Sequence, residues 1–159
     1  MRECVYVVPV GVSSMGDPMV FLNMKDAYLP VPWQSEENKY AMWGGGVDPE
    51  DRDAAGTYPK ITAYRELTEE TGNWWTTFRT EGTRLEFLTE NVSDTHHVHL
   101  FTLKVDVSEK SFKHLQKTCT EGIPVAMTYR CFQTKSEKDF VPGVYRAVRM
   151  VFDRILSRM

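Results

Sequence analysis

The stretch Arg65-Glu66-Leu67-Thr68-Glu69-Glu70-Thr71-Gly72 constrains this chain more than any other part of it. Tyr58 precedes a proline and is pushed out of the helical region, while Pro59 suits the first turn of a helix. Gly72 suits a left-handed C-terminal cap, so the pattern predicts a helix over residues 59–71. Successive helical residues advance by about 100°. Glu66, Glu69 and Glu70 therefore share one face, and Ile61, Ala63, Tyr64 and Leu67 take the other side, toward a core. Carboxylates at these spacings repel one another, and Glu69 and Glu70 also sit in the last turn, where the helix dipole disfavours negative charge. Each effect is roughly 0.3–1 kcal/mol, and both point the same way. Arg65, four residues before Glu69, offsets only part of this. A hard divalent cation reverses the sign of the problem, because Mg²⁺ takes oxygen ligands from carboxylates, water and phosphates. For the helix alone, a solvated acidic end is the plain alternative.

The residues before the helix sharpen the reading. A short strand at 40–43 runs into Gly44-Gly45-Gly46, where backbone can approach a ligand or ion with no Cβ in the way. A polar, acidic loop at 48–56 follows. Elsewhere, valine-rich residues 4–12 and residues 19–23, 85–88, 97–105 and 125–132 are predicted strands. Residues 89–96 read as a loop and 109–117 as a short helix. Val144, Val148, Val151, Phe152 and Ile155 give helical spacing to an amphipathic segment over 141–159. Strands and helices mix, so the fold class is α/β (α+β), layered, and the 159 residues form a single domain.

Several function classes are disfavoured. A formal net charge of -3 is poor for gripping long nucleic acid through its phosphates. No apolar run reaches the roughly 18 residues that span a bilayer. The first residues read as a strand and not a signal peptide, and Cys4, Cys119 and Cys131 read as free thiols, so a cytoplasmic location is expected. His97 and His99 alternate on one strand face, with His96 beside them. A polar, solvent-facing strand side is preferred for them over a transition-metal site.

Glycines, acidic loop and carboxylate helix together resemble the Nudix hydrolase family, whose signature reads G-x5-E-x7-R-E-U-x-E-E-x-G-U, with U a bulky apolar residue. Residues 65–72 match every fixed position of its second half, and residues 40–48 look like the segment that opens it. The loop from Gly45 to Arg65 is six residues longer than the signature's. Thr57 stands where the signature glutamate is due, with Glu50, Asp51 or Asp53 as substitutes, and Asn73 takes the last apolar position.

The resemblance implies an α/β/α sandwich with a mixed central sheet, and Mg²⁺ (or Mn²⁺)-dependent cleavage of a phosphoanhydride bond. The substrate implied is a nucleoside diphosphate linked to another moiety. It also implies the residue roles. Glu69 and Glu70 bind metal; Glu66 is a ligand or the base that activates water; Arg65 orients a glutamate. A carbonyl of Gly44 or Gly45 completes the metal shell, and Glu121 fits the later-loop ligand of many members. Gly44, Gly46, Trp33 and Trp43 are the substrate-binding candidates. The partner expected is a nucleotide-like small molecule, and many members of the family are homodimers. The altered first half of the signature keeps a second reading open, a catalytically inactive nucleotide-sensing module on the same fold.

Overall fold

The computed structural model describes residues 1–25, 38–52 and 56–159. Trp33 and Asp53 lie outside the described residues. At the centre is β1 (Arg2–Val12), whose side chains alternate strictly. Val5 and Val7 enter one core, and Tyr6, Val8 and Val10 the other. A strand with both faces covered needs this near-continuous apolar run, which explains the valines. β1 pairs antiparallel with β2 (Pro18–Met24) and β4 (Trp43–Gly46), and parallel with β6 (His96–Lys104). β3 (Tyr40–Ala41) and β7 (Ile123–Thr128) pair with β2, and β5 (Glu86–Val92) closes the far edge against β6. The result is a seven-stranded mixed sheet.

Helices cover both faces. On one lie α1 (Tyr58–Thr71), α2 (Trp74–Phe78) and α3 (Glu109–Thr118). Ala63, Leu67, Trp74 and Leu115 pack there on Val5, Val7, Phe21, Phe101 and Leu103. On the other lie α4 (Tyr129–Gln133) and α5 (Val144–Ser157), with Phe132, Val148, Val151 and Phe152 packed on Val8, Val20, Leu22 and Leu100. This is the α/β/α sandwich expected from the sequence. Among the described residues, no helix is long and apolar enough to cross a membrane.

Three local readings change. The strand expected over 125–132 stops at Thr128, whose hydroxyl accepts the Cys131 N–H and starts α4. Residues 89–92 continue β5 through a register shift, because β6 supplies the paired edge their polar sequence conceals. Ile61, assigned to the core side of α1, is 40% exposed, and Thr62 is buried in its place. A side-chain partner, Asp51, draws that threonine inward.

Candidate metal centre

Strand pairing sets the site. β4 lies along β1 with Gly44 opposite Tyr6, Gly45 opposite Val5 and Gly46 opposite Cys4. Gly44 has φ +144°, and a Cβ there would run into the Val5 carbonyl. Its N–H is thereby aimed at α1 and donates to Glu70 Oε2 at 3.0 Å. A Cβ on Gly45 would come within 2.6 Å of Glu66 Oε1, so the glycine leaves just enough room for that carboxylate.

Glu70 is only 7% exposed and meets two further carboxylates, Glu121 and Glu66. Burial, then the hydrogen bond and charge of Glu121, then Glu66, push its carboxyl up to about 10. Glu66 is also raised, mainly by burial, although the Arg65 charge opposes this. In the protein alone this cluster retains a proton at neutral pH. Buried Glu70, half-buried Glu66 and exposed Glu121, crowded to that degree, suit a hard divalent cation, which would displace the proton.

Glu121 arrives from the loop between α3 and β7. Thr120 N–H donates to Glu70 O at 2.9 Å and its hydroxyl to Glu69 O at 2.8 Å, satisfying carbonyls that the end of α1 leaves open. Asn23 Nδ2 donates to the Glu121 carbonyl, and Gly122, at φ +67°, packs against the Asn23 amide. None of Thr120, Gly122 or Asn23 carries a spacing signal. They come from separate segments, and only the folded chain brings them together.

Arg65 organises the other side. It donates to Asp51 through Nε at 2.9 Å and Nη2 at 2.9 Å, and to Gly46 O at 3.0 Å. Its Nη1 reaches Glu66 at 3.2 Å and Glu69 at 3.3 Å. Asp51 is 3% exposed and sits in a single 3₁₀ turn over Pro49–Asp51. It also accepts the Thr62 hydroxyl at 2.8 Å and the Asp48 N–H at 3.0 Å. The Arg65 hydrogen bonds hold its carboxyl down to about 2 against burial, with help from Asp48 and Thr62. Of the three acids weighed for the missing signature glutamate, Asp51 therefore anchors Arg65. Glu50 is exposed, and Thr57 stands at the N-cap of α1.

Glu66, Glu70, Glu121, Gly44 and Gly45 thus converge, while Glu69 stands at the solvent side with its side chain 57% exposed. A cleft of about 400 Å³ opens over Gly44, Gly45, Glu70 and Glu121, with Arg2 and Lys25 on its walls beside Tyr6, Met42, Val141 and Pro142. Gly46 does not line it and instead receives Arg65 through its carbonyl.

The pocket role read for Trp43 is corrected. The residue is 0% exposed in the core, and its indole N–H donates to Phe21 O at 3.1 Å. The alternation of β4 turns this ring inward, a parity that the glycines after it obscure. Trp43→Phe is expected to lower stability by about 1–3 kcal/mol through the unpaired carbonyl, with substrate KM unchanged. Urea melts beside steady-state kinetics check this. Gly45→Ala is expected to do the reverse. The fold holds to within about 1 kcal/mol, because only the carboxylate end of Glu66 must shift, while metal affinity falls; Mn²⁺ binding with a thermal melt reads both.

No family model and no curated protein matches the sequence. Solved structures do match. A mutT/nudix family protein from Listeria innocua is similar at 15% identity and TM-score 0.65, over 99% of this chain and 95% of that one. The E. coli ORF135 protein is similar at 15% identity and TM-score 0.55, over 99% and 94%. The C-terminal domain of mouse MUTYH, solved in complex with human PCNA, is similar at 13% identity and TM-score 0.55, over 98% and 90%. The chain has a Nudix-like fold, with a mixed sheet between helical layers.

Proposed function

We propose that the protein is a divalent-metal-dependent pyrophosphohydrolase that cleaves a phosphoanhydride bond in a nucleoside diphosphate linked to another moiety. Fold alone does not carry this reading. The observation that carries it is the convergence of Glu66, Glu70 and Glu121 at Gly44 and Gly45, with Glu70, Glu121 and both glycines lining a cleft that also bears Arg2 and Lys25.

In this reading Glu66, Glu70 and Glu121, with the Gly45 backbone, hold Mg²⁺ or Mn²⁺. Bound there, the metal neutralises phosphate charge and lowers the pKa of a water. Arg65, fixed by Asp51, steadies Glu66 and Glu69 by charge-assisted hydrogen bonds. Glu69 has the solvent access to take the proton of the attacking water. Arg2 and Lys25 supply positive charge for phosphates beyond the metal, and Tyr6, Met42, Val141 and Pro142 an apolar wall for the organic group. A cleft of this volume suits a small molecule and not a long polymer. The hydrogen bonds from Arg65 to Asp51 support the hydrolase over the sensing module, since an acid of the altered first half of the signature engages the signature arginine.

The test is product release from a panel of nucleoside triphosphates, nucleotide sugars and dinucleoside polyphosphates, with Mg²⁺ and with EDTA. Metal-dependent turnover of one class is expected. Nucleotide binding without turnover of any compound would point to the sensing module.

A further inference from the structure

Strand parity joins residues that the carboxylate centre does not use. β1 and β6 run parallel with Glu3 beside His97, and β5 and β6 run antiparallel with Glu90 beside His99. Side chains paired in this way share a face, and so do His97 and His99, two residues apart. That face is the one that carries Phe101 and Leu103 into the core beneath α1. The polar, solvent-facing side expected for the histidines is therefore corrected: His99 is buried at 7% exposure.

The donor atoms converge. His99 Nε2 lies 3.1 Å from Glu3 Oε2 and His97 Nδ1 lies 3.9 Å from it. One ligand atom from each of the three residues lies within 4.8 Å of the others. Donors held about 2.0–2.1 Å from a tetrahedral ion sit about 3.4 Å apart, so these spacings bracket a coordination shell. The far sides of the rings are also furnished. Glu90 Oε2 lies 2.8 Å from His97 Nε2 and 3.9 Å from His99 Nδ1. A carboxylate behind a ligating imidazole fixes its tautomer and aims its other nitrogen at the ion. Arg52 occupies Glu3 Oε1 at 2.7 Å, which leaves Oε2 to the histidines and to the Tyr58 hydroxyl.

We propose that Glu3, His97 and His99 form a second cation site, for a borderline transition ion of the Zn²⁺ class, with Glu90 as the outer carboxylate that orients the His97 imidazole. Two nitrogen donors and one oxygen select against Mg²⁺, so this site and the all-oxygen carboxylate centre take different ions. An ion here ties β1 to β6 and, through Glu90, to β5. Three protein donors leave a fourth position for water.

The experiment is a Zn²⁺ titration of the full chain against a competing chelator, in saturating Mg²⁺, repeated with Co²⁺ for its visible bands. One tight equivalent is expected. His97→Gln and His99→Gln should each weaken it by more than tenfold and remove the Co²⁺ bands. Glu90→Gln should weaken it by roughly 10–100-fold. Glu70→Gln should leave it unchanged. The His97 side chain is 24% exposed, so its replacement is compatible with folding, and thermal melts in EDTA verify this. The proposal is overturned by no Zn²⁺ binding in Mg²⁺, by binding indifferent to both histidine variants, or by binding lost in Glu70→Gln.

Discussion

Glu70→Gln is expected to lower kcat by about 10²–10³-fold or more, the several kcal/mol that a correctly held metal contributes to the transition state. The variant should nonetheless fold. Glutamine keeps an acceptor for the Gly44 N–H, and its amide replaces the proton that Glu70 shares with Glu121 and Glu66. Glu70 loses its proton near 4.5 when unfolded but near about 10 when folded, so the folded, metal-free protein holds one proton more across that window. Its stability therefore falls as pH rises from about 4.5 toward 10. Glu70→Gln should flatten that slope and become the more stable protein at pH 8 without metal. Mg²⁺ must expel the proton, so its affinity should rise with pH over the same window. Denaturant melts in EDTA at several pH values, beside kinetics in Mg²⁺, test both halves. A variant that is destabilised at pH 8, or fully active, would contradict this reading of Glu70.

Asp51→Ala is expected to lower stability by about 3–5 kcal/mol, the loss typical when one partner of a buried ion pair is removed. The change removes the shortest carboxylate contacts of the Arg65 guanidinium, which keeps Gly46 O, Glu66 and Glu69, and leaves the Thr62 hydroxyl and Asp48 N–H without this acceptor. The Asp51 carboxyl is held near 2, well below its unfolded value of 3.8. Its contribution is therefore present above pH 4 and is lost as pH falls through 2, opposite in sign to the slope from Glu70. Asp51→Asn retains the shape and should cost less. A double-mutant cycle with Arg65→Ala separates the pair from its other contacts, and a coupling near zero would mean that Asp51 does not anchor Arg65.

Most of the layered fold was legible because the strongest signals are local. Valine alternation marked β1, the proline and glycine bounded α1, and apolar spacing marked α5. Glu66 and Glu70 were legible for the same reason, since one helix presents both. Glu121 was reachable only through the family resemblance, because what brings it to Glu70 is Thr120 on the end of α1 and Asn23 on β2. Asp51 was one of three acids, and nothing in the spacing says which of them a 3₁₀ turn will aim at Arg65. Trp43 and the histidines failed through strand parity. His97 and His99 share their phase with Phe101 and Leu103, which was visible in the sequence and outweighs the polarity of the imidazoles.

Mn²⁺ binding followed by electron paramagnetic resonance at pH 7, with released protons counted, tests most directly whether Glu66, Glu70 and Glu121 form the metal centre. The wild type should bind Mn²⁺ and release a proton, and Glu70→Gln and Glu121→Gln should each bind more weakly, with no proton released by Glu70→Gln. Binding of equal strength in all three proteins would place the metal elsewhere and remove the basis for the proposed hydrolysis.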